Sequence, residues 1–492
     1  MAARVDRPDI FWELTRSLCP ECRRVIDAQI LLRDNQVVMR KRCPDHGWFE
    51  ALVFSDAGLY TKIAPYNKPG TLPLKFQTEV RDGCPHDCGL CPEHKQHACL
   101  GLLEINSACN LDCPLCFANS GTHLARDGFE LDAGQVGFML DSFVAAEGQP
   151  EVVQLSGGEP TLHPLLSDFV AMAKDRGIRH VMINSNGVKL AHDDRLLARL
   201  AELKPTIYLQ FDGFDAATNR ALRGREDLVE TKLKTLDRLA DAGVRAVLVA
   251  AIERGVNDHE VGAIVDFGLR HPAVFGVNFQ PAFRAQRHVP GDPMTRITIP
   301  DVLKALEAQT GGRFLLSDFV PVPCCMPTCN FVTYALLSGD VVTPITRLVD
   351  VEGHLDYLTN RTLATFDAEL LGTLERLWSS SAAVGSDEAA REVHRTLDRS
   401  ASRCSACHVG LPLSRHRSED LARHVFMINT RDFMDPWTFN VKNVMKCCVE
   451  FVIPDGRLIP FCAYNSAGYR ERVTAELHSA ARATKGVAAH RR

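Results

Sequence analysis

Apolar residues between positions 101 and 312 follow a regular alternation of two patterns. Short apolar runs, typical of buried strands, alternate with longer segments in which apolar residues recur at the spacing of amphipathic helices. The predicted strands are 101–106, 151–156, 180–185, 206–211, 245–252 and 274–280, and the predicted helices are 131–146, 164–176, 193–203, 228–241, 259–270 and 299–311. This order predicts an α/β fold whose parallel sheet curves into a partial (βα)6 barrel, two units short of a full barrel.

Cysteine is the unusual component of the composition. The chain has 492 residues, of which 18 are cysteine, whereas 46% hydrophobic and 24% charged residues are ordinary values for a globular protein. The cysteines lie in clusters before residue 117 and after residue 323, with none between. Because no secretory signal is visible, clustered cysteines predict metal sites in the reducing cytoplasm rather than disulfides.

The segments that flank the predicted barrel have different patterns. In the N-terminal part, short strands at 28–32 and 36–41 flank a hairpin signal at Arg33-Asp34-Asn35, which predicts a small β-rich module. The basic C-terminal tail is expected to be flexible and solvated, or else in weak contact with anionic lipid. The predicted divisions are a metal-binding ribbon at 1–63, a linker with an auxiliary cysteine segment at 64–100, the barrel at 101–312, an auxiliary iron–sulfur domain at 313–469 and the tail at 470–492.

Charge argues against a nucleic-acid partner, and hydropathy argues against a membrane-spanning segment. A net charge of -5 excludes a dominant basic surface for nucleic acid. No apolar run is long enough to span a membrane, although a peripheral contact at its inner face stays open. The chain is therefore expected to be a cytoplasmic protein, whose oligomeric state the sequence does not reveal.

The central motif is a CxxxCxxC loop that directly follows the first predicted strand of the barrel. Its residues Cys109, Cys113 and Cys116 can bind three irons of a 4Fe–4S cube, which normally takes four cysteines. The fourth iron is then open to a small molecule, as in a catalytic metal site. A zinc knuckle completed by a distant residue is the structural alternative.

Two further motifs follow at the ends of the next two predicted strands. Gly157 and Gly158 allow a ligand to approach the backbone, and Glu159 can accept a hydrogen bond from an ammonium group. Asn184 and Asn186 carry amides that suit ribose hydroxyls or a carboxylate. Each motif alone is more often a turn, but together at successive strand ends they indicate a ligand site.

These three motifs resemble those of the radical S-adenosylmethionine (SAM) superfamily. The resemblance implies that the open iron binds the methionine part of SAM and that the reduced cluster cleaves it to a 5′-deoxyadenosyl radical, with flavodoxin or ferredoxin as the reductant. It also implies that Gly157, Gly158 and Glu159, in the GGEP turn at 157–160, contact the SAM amine. Asn184 and Asn186 would contact its ribose. Further plausible contacts with SAM or substrate, at the ends of later strands, are Gln210, Asp212 and Glu253.

Other cysteines predict additional metal sites. Cys19, Cys22, Cys43 and His46 have the spacing of a zinc ribbon or rubredoxin, so they predict one Zn or Fe ion with a structural role or, as an alternative, an electron-relay role. Cys84, Cys88 and Cys91 repeat the CxxxCxxC spacing without a following GGE, and they predict an auxiliary 4Fe–4S cluster that His94, Cys99 or a distant cysteine completes. A second auxiliary cluster is predicted from the remaining pool of Cys324, Cys325, Cys329, Cys404, Cys407, Cys447, Cys448 and Cys462.

The order of these motifs along the chain resembles that of the tetraether lipid synthases and their bacterial relatives, a group also described as pterin C-methyltransferases. The resemblance implies an enzyme that abstracts hydrogen from unactivated carbon to couple lipid alkyl chains. A C-methyltransferase acting on a pterin-like heterocycle is the first alternative. A non-catalytic zinc or iron binding module is the second. A long apolar groove beside the SAM cluster would favour a lipid, and a compact pocket with convergent polar groups would favour a heterocycle.

Overall fold

The N-terminal module is an antiparallel four-stranded sheet in the order β1-β2-β3-β4, followed by a short helix. A computed structural model describes residues 9–178, 180–288, 291–323, 325–338, 340–347, 351 and 425–489 of the chain. Asp34 and Asn35 both have positive φ values in the two-residue turn between β2 and β3, which confirms the predicted hairpin. The elements of this module are β1 (Ile10–Leu18), β2 (Val25–Arg33), β3 (Gln36–Cys43), β4 (Gly47–Phe54) and α1 (Ala57–Lys62).

Six parallel strands form the centre of the molecule, and all six lie where the sequence predicts them. They pair in sequence order from β5 to β10, and their apolar side chains form the main hydrophobic core. The strands are β5 (Leu100–Asn106), β6 (Val152–Gly157), β7 (His180–Ser185), β8 (Thr206–Gln210), β9 (Ala246–Ile252) and β10 (Val274–Pro281).

The predicted helices of the barrel are also present, each within a few residues of its predicted bounds. One further helix, α5, was not predicted; its apolar residues are few, and it carries a side chain that is important below. The helices are α2 (Ala133–Glu147), α3 (Leu166–Asp175), α4 (Asp194–Leu203), α5 (Ala216–Arg223), α6 (Leu228–Asp241), α7 (Val261–Arg270) and α8 (Ile299–Gln309).

The C-terminal region extends the barrel sheet at both edges. Strand β14 pairs in parallel with β10, and strand β15 pairs in parallel with β5, so eight parallel strands lie side by side in the described residues. The predicted C-terminal domain therefore shares its sheet with the barrel. Its elements are β11 (Val320–Pro321), β12 (Asn330–Ser338), β13 (Val341–Pro344), β14 (Val425–Arg431), α9 (Val441–Val444), β15 (Val449–Val452), β16 (Leu458–Pro460), α10 (Phe461–Ser466) and α11 (Tyr469–Ala489).

Helix α11 occupies most of the segment that was expected to be a flexible tail. Its first turns pack against the barrel, because Tyr469, Arg470 and Val473 are buried. Tyr469 donates a hydrogen bond from its hydroxyl to Pro85 O at 2.9 Å, which joins the helix to the auxiliary cysteine segment. In the part of the chain that the structure describes, no helix combines the length and the apolar character that crossing a membrane requires.

A buried lysine joins the ribbon module to the C-terminal region. The ammonium group of Lys41 donates to Ser17 Oγ at 2.9 Å, to Pro436 O at 2.6 Å and to Trp437 O at 2.8 Å. Burial lowers the pKa of Lys41 to about 7. The ribbon is thus fixed against the same region that carries the C-terminal cysteines.

Candidate active site and metal centres

The carboxyl ends of strands β5 to β10 surround a cavity of about 160 Å³. Cys109, Cys113 and Cys116, in the loop after β5, all line it. Six of the residues that the resemblance assigned to SAM line the same cavity, namely Gly157, Gly158, Glu159, Asn184, Asn186 and Gln210. The structure therefore brings the three sequence motifs together at the predicted edge of the sheet.

The two glycines of the GGEP turn are required by the close approach of two backbone segments. Gly158 N donates to Asn106 O at 2.8 Å, and Glu159 N donates to Ala108 O at 2.9 Å. A Cβ atom on Gly157 would lie 2.2 Å from Asn106 O, and one on Gly158 would lie 2.1 Å from Ala108 O. A side chain at either position would push the cysteine loop away from the sheet.

The buried carboxylate of Glu159 connects the second motif to the third. Its Oε1 accepts hydrogen bonds from Thr161 Oγ1 at 2.6 Å and Ser185 Oγ at 2.8 Å, and its Oε2 accepts from Asn186 N at 2.8 Å. Burial raises the pKa of this carboxyl group, against the opposing effect of these donors. Glu159 thus holds the two turns together, and a contact with the SAM amine through the remaining acceptor capacity of Oε2 stays a prediction.

The two asparagines of the third motif have different surroundings. Asn186 donates from Nδ2 to Asn110 Oδ1 at 2.7 Å, and the same nitrogen lies 3.8 Å from Cys109 Sγ. Asn184 makes a longer contact, from Nδ2 to Ser156 Oγ at 3.3 Å. Asn186 therefore supports the cysteine loop, whereas Asn184 is the one better placed to turn towards a ligand.

Two of the later strand-end residues do not line the cavity. Asp212 is fully buried, and its carboxylate accepts two hydrogen bonds from Arg223, at 2.7 and 2.6 Å, and one from Ala251 N at 3.0 Å. Glu253 accepts from His288 Nε2 at 2.9 Å, and it is His288 that lines the cavity. Both acids are thus supports for neighbours that the sequence did not single out.

Arg223 is the main cavity residue that sequence reasoning missed. It lies at the end of helix α5, lines the cavity and has a contact with Cys113. Lys232 lies behind it, fully buried, with its Nζ 3.9 Å from Asp212. Burial lowers the pKa of Lys232 to about 8. Two basic groups against one buried acid leave positive charge beside Cys113, which favours a bound anionic cluster.

The three cysteines of this loop fit an iron–sulfur cluster with three protein ligands. Burial raises the pKa of the Cys109 thiol to about 12, and it also raises the pKa of Cys113, against the opposing charge of Arg223. Thiols with such raised pKa values remain neutral until a metal displaces their protons. Leu111 N donates to Cys109 Sγ at 3.4 Å, a contact that suits a metal-bound sulfur. Among the residues that the structure describes, no fourth cysteine lines this cavity.

A second cavity, of about 300 Å³, lies next to the first and shares part of its wall. The residues common to both are Gly157, Ala118 and Ser120. Eleven of its sixteen lining residues are polar or charged, and they come from the end of β5, the cysteine loop and the residues after it, the loop after β10, and helix α11. These eleven are Glu104, Asn106, Ser107, Asn119, Ser120, His123, Gln286, Arg470, Glu471, Thr474 and His478.

Arg470 is the central support of this second cavity. Its Nη1 donates to both carboxylate oxygens of Glu104, at 2.7 and 2.9 Å, and its Nε donates to Asn465 Oδ1 at 2.8 Å. The guanidinium group also lies 4.8 Å from the ring centre of Tyr464 and 5.4 Å from that of Phe117, which follows Cys116. The guanidinium group of Arg470 therefore connects helix α11 to the cysteine loop.

The predicted ribbon ligands meet at one point of the N-terminal module. One ligand atom from each of Cys19, Cys22, Cys43 and His46 lies within 4.8 Å of all the others. His46 Nδ1 is 3.4 Å from Cys43 Sγ and 3.7 Å from Cys19 Sγ. Three sulfurs and one imidazole nitrogen at this separation fit a single tetrahedral Zn or Fe ion.

We expect Cys22→Ala to remove one metal ion per chain from the purified protein, because a tetrahedral site that loses one of its four ligands binds metal weakly. Elemental analysis measures the loss. The visible absorption of the iron–sulfur clusters is the internal control and should not change. A variant that keeps its full metal content would contradict the assignment.

The auxiliary triplet lines a small cavity of its own. Cys84, Cys88 and Cys91 face this cavity together with His94, whereas Cys99 is not among the lining residues. Cys99 Sγ instead lies 3.5 Å from His97 Nε2. Of the two nearby groups that were expected to complete this cluster, the geometry favours His94 over Cys99.

The C-terminal cysteines converge although they are far apart in sequence. One apolar cavity of about 40 Å³ is lined by Cys325, Cys329, Cys447, Cys448 and Cys462, with Arg431 in its wall. Burial raises the pKa of Cys329 to about 12 and raises that of Cys462 as well. Five thiols around one small space fit the second predicted auxiliary cluster. The other members of the predicted pool, Cys324, Cys404 and Cys407, lie outside the described residues.

Replacement of Cys462 by alanine should lower the iron and sulfide content by about four atoms each per chain, because a 4Fe–4S cluster is lost as a unit. Iron and acid-labile sulfide are measured after anaerobic reconstitution. The ribbon variant Cys22→Ala is the matched control and should lose one metal ion and no sulfide. Equal iron and sulfide in Cys462→Ala and the unmodified chain would show that this cavity holds no cluster.

The fold and the first cavity together define a radical SAM enzyme. The Radical SAM superfamily model matches residues 103–268, and a model described as the HMPTM N-terminal zinc ribbon domain matches residues 11–55. The chain is 34% identical over 491 residues to the 7,8-dihydro-6-hydroxymethylpterin dimethyltransferase of Methanocaldococcus jannaschii, covering 93% of this chain and 94% of that protein. The chain therefore belongs to the family of that enzyme.

More distant relatives match less than half of the chain. The GTP 3′,8-cyclase of Chlorobaculum tepidum is 31% identical over 218 residues, which cover 42% of this chain and 63% of the cyclase. Among solved structures, SuiB of Streptococcus suis bound to S-adenosylmethionine is 17% identical, with a TM-score of 0.36, over 44% of this chain and 47% of that one. As a radical SAM enzyme, the chain uses SAM and a 4Fe–4S cluster, and its ribbon and further cysteine groups fit auxiliary metal sites.

Proposed function

We propose that this radical SAM enzyme is a C-methyltransferase that acts on a pterin-like heterocycle. The observation that carries the proposal is the second cavity, which adjoins the candidate SAM cavity and has several polar and charged side chains converging on it. Pockets with a few convergent polar groups are typical of sites for small polar ligands. The similarity to a pterin dimethyltransferase along nearly the whole chain supports the same substrate class.

The proposed reaction replaces a hydrogen on a ring carbon by a methyl group. If SAM is also the methyl donor, two molecules of SAM and two electrons from the reductant convert the heterocycle to the methylated product. The other products are S-adenosylhomocysteine, methionine and 5′-deoxyadenosine, and the last of these carries the hydrogen removed from the ring carbon. When bound, the cluster at Cys109, Cys113 and Cys116 supplies the electron that cleaves a further SAM and so generates the hydrogen-abstracting radical. The shared wall of the two cavities, at Gly157, Ala118 and Ser120, is where the substrate carbon would face SAM.

The residues of the chain act mainly by positioning these partners. Glu159 holds the GGEP turn to the third motif, and Arg223 places a positive charge beside Cys113. Arg470 lies between the cysteine loop and the second cavity, where it fixes Glu104 by two hydrogen bonds. A rigid arrangement of this kind holds the two reactants at a fixed separation.

Coupling of lipid alkyl chains, which the resemblance to tetraether lipid synthases implied, has less support. An alkyl chain in the second cavity would face buried polar groups without giving them hydrogen-bond partners. The alternative of a non-catalytic metal-binding module has no support, because the chain has both the fold and the motifs of a radical SAM enzyme.

The test is an anaerobic reaction of the reconstituted protein with reductant, SAM carrying a ¹³C-labelled methyl group, and 7,8-dihydro-6-hydroxymethylpterin. We expect a pterin product that contains labelled methyl carbon, together with 5′-deoxyadenosine. Lipid extracts of an expressing host provide the competing measurement. Deoxyadenosine without methylated pterin, accompanied by coupled alkyl chains and two deoxyadenosines per product, would replace this proposal with lipid coupling.

A further inference from the structure

We propose that the second cavity recognises one edge of a 2-amino-4-oxopyrimidine ring, with Asn106 and Glu471 accepting hydrogen bonds from the N–H groups of the ring and Arg470 donating one to its carbonyl oxygen. This inference rests on the proposed function, because it names the part of the heterocycle that the second cavity would recognise. The ring is common to pterins and guanine, so the chemistry identifies an edge rather than a single molecule.

Three residues that line the cavity each have one buried polar atom without a hydrogen-bond partner in the described part of the chain. These atoms are Asn106 Oδ1, Arg470 Nη2 and Glu471 Oε2. Asn106 is fully buried and Arg470 is 4% exposed, so bulk water does not satisfy them. The side chain of Glu471 is 39% exposed as a whole, but its Oε2 atom is itself buried. Buried polar groups are normally paired, and a set of unpaired ones around a single cavity indicates a ligand that pairs with them.

The unpaired atom of Asn106 is an acceptor because the rest of its amide is already used. Its Nδ2 donates to Glu159 O at 3.0 Å, which assigns the opposite side of the amide, Oδ1, as the carbonyl oxygen. Asn106 is the last residue of β5, beside the turn that carries Gly157 and Gly158. This acceptor therefore lies at the boundary between the second cavity and the SAM cavity.

The unpaired atom of Arg470 is a donor with a fixed direction. Two of its three nitrogens are occupied, Nη1 by Glu104 and Nε by Asn465. Since the guanidinium group is planar, fixing these two nitrogens also fixes Nη2. An acceptor on the ligand, such as a ring carbonyl oxygen, is the group that Nη2 lacks.

The unpaired atom of Glu471 is the second acceptor, and the ribbon module helps to hold it. Its Oε1 forms an ion pair with Arg23 Nη1 at 2.7 Å and accepts from Gln286 Nε2 at 3.2 Å. Arg23 directly follows Cys22, one of the candidate metal ligands. The metal-binding ribbon therefore reaches the wall of the second cavity and leaves Oε2 of Glu471 for a ligand.

Two acceptors and one donor match the edge formed by the 2-amino group, the ring N–H and the 4-oxo group. The first two groups donate hydrogen bonds, and the third accepts one. Neither an alkyl chain nor a heterocycle with carbonyls at both positions offers this pattern. A site built to pair with such groups discriminates strongly against analogues that lack them, because its own polar atoms are then left unpaired.

Equilibrium binding to the reconstituted full-length protein with SAM bound tests the proposal. The probes are 7,8-dihydro-6-hydroxymethylpterin, its analogue without the 2-amino group, and guanosine. We expect Glu471→Gln to weaken pterin binding by roughly tenfold or more, the scale of one hydrogen bond to a charged group. Glu476→Gln is the matched control, because it makes the same change on the exposed side of the same helix and should bind as the unmodified chain does.

Measuring the ligand analogue on both the unmodified chain and Glu471→Gln separates recognition of the ring edge from a general loss of structure. The analogue without the amino group should bind weakly to the unmodified chain, and it should lose little more in Glu471→Gln. Thermal unfolding of both variants detects any loss of stability. Tighter binding of guanosine than of pterin would support the edge and assign a guanine compound as its source.

Two negative results have different meanings. If pterin binds the unmodified chain but Glu471→Gln and the analogue show no loss, the inference about the edge is overturned and the proposed function stands. If neither pterin nor guanosine binds, while SAM is still cleaved to deoxyadenosine, the heterocycle substrate itself is overturned.

Discussion

Cys113→Ala will lower the formation of 5′-deoxyadenosine from SAM by at least roughly a thousandfold, the scale on which loss of an essential catalytic group acts. Cys113 is one of the three cysteines that line the first cavity in the described part of the chain, so its loss leaves too few thiols to hold a cluster with one open iron. Deoxyadenosine is quantified after anaerobic reconstitution and reduction, in the presence of SAM alone.

Cys99→Ala is the control for this experiment. Cys99 is also buried, but it lies outside the three cysteine-lined cavities and contacts Gln96 and His97 instead. We expect this variant to cleave SAM at the rate of the unmodified chain. Full deoxyadenosine formation by Cys113→Ala would show that SAM is cleaved elsewhere.

Gly158→Ala will have the second-largest effect, through the backbone rather than through a metal ligand. The added Cβ would lie 2.1 Å from Ala108 O and 2.7 Å from Ser107 O, and neither backbone atom can move without displacing the loop that leads to Cys109. We expect a loss of stability of about 1–3 kcal/mol, as for overpacked sites. Deoxyadenosine formation should fall by roughly a hundredfold or more, because misplacement by about 1 Å has that cost in an active site.

Gly291→Ala makes the same chemical change where there is space. Of the residues that the structure describes, none places an atom within 4 Å of a Cβ built on Gly291, and this glycine is exposed. Thermal unfolding and deoxyadenosine formation should both match the unmodified chain. If Gly158→Ala behaves like Gly291→Ala, the close approach of the GGEP turn to the cysteine loop is not what positions the cluster.

Most strands and helices of the barrel could be predicted, because the pattern that specifies each one lies within a single continuous segment. Each strand of the barrel is a short segment rich in apolar residues, and most helices have an apolar face, so periodicity locates them within a few residues. The exception is α5, a helix of eight residues in which the buried positions include Thr218 and Asn219. A short helix with a polar buried face gives no periodic signal of the usual kind.

The edges of the sheet could not be predicted, because they depend on pairing between distant segments. β15 has four residues and pairs with β5, which lies more than 300 positions earlier. β14 pairs with β10 in the same way. Sequence patterns report the tendency to form a strand, but not the partner that it meets.

The candidate site shows the same division between local and distant information. The cysteine loop, the GGEP turn and the asparagines could be located because each is a motif at a strand end. Asp212 and Glu253 also follow strands, yet they point to Arg223 and His288, and these two line the cavity. Which of two paired residues faces a ligand depends on side-chain directions that no spacing rule reports.

The central claim is that one iron held by Cys109, Cys113 and Cys116 is open to SAM. The most direct test is the electron paramagnetic resonance spectrum of the reduced, reconstituted protein before and after SAM is added. The account predicts that SAM changes the signal of one cluster and that Cys113→Ala abolishes this change. A spectrum that SAM leaves unaltered, with zinc found on these three cysteines, would contradict it.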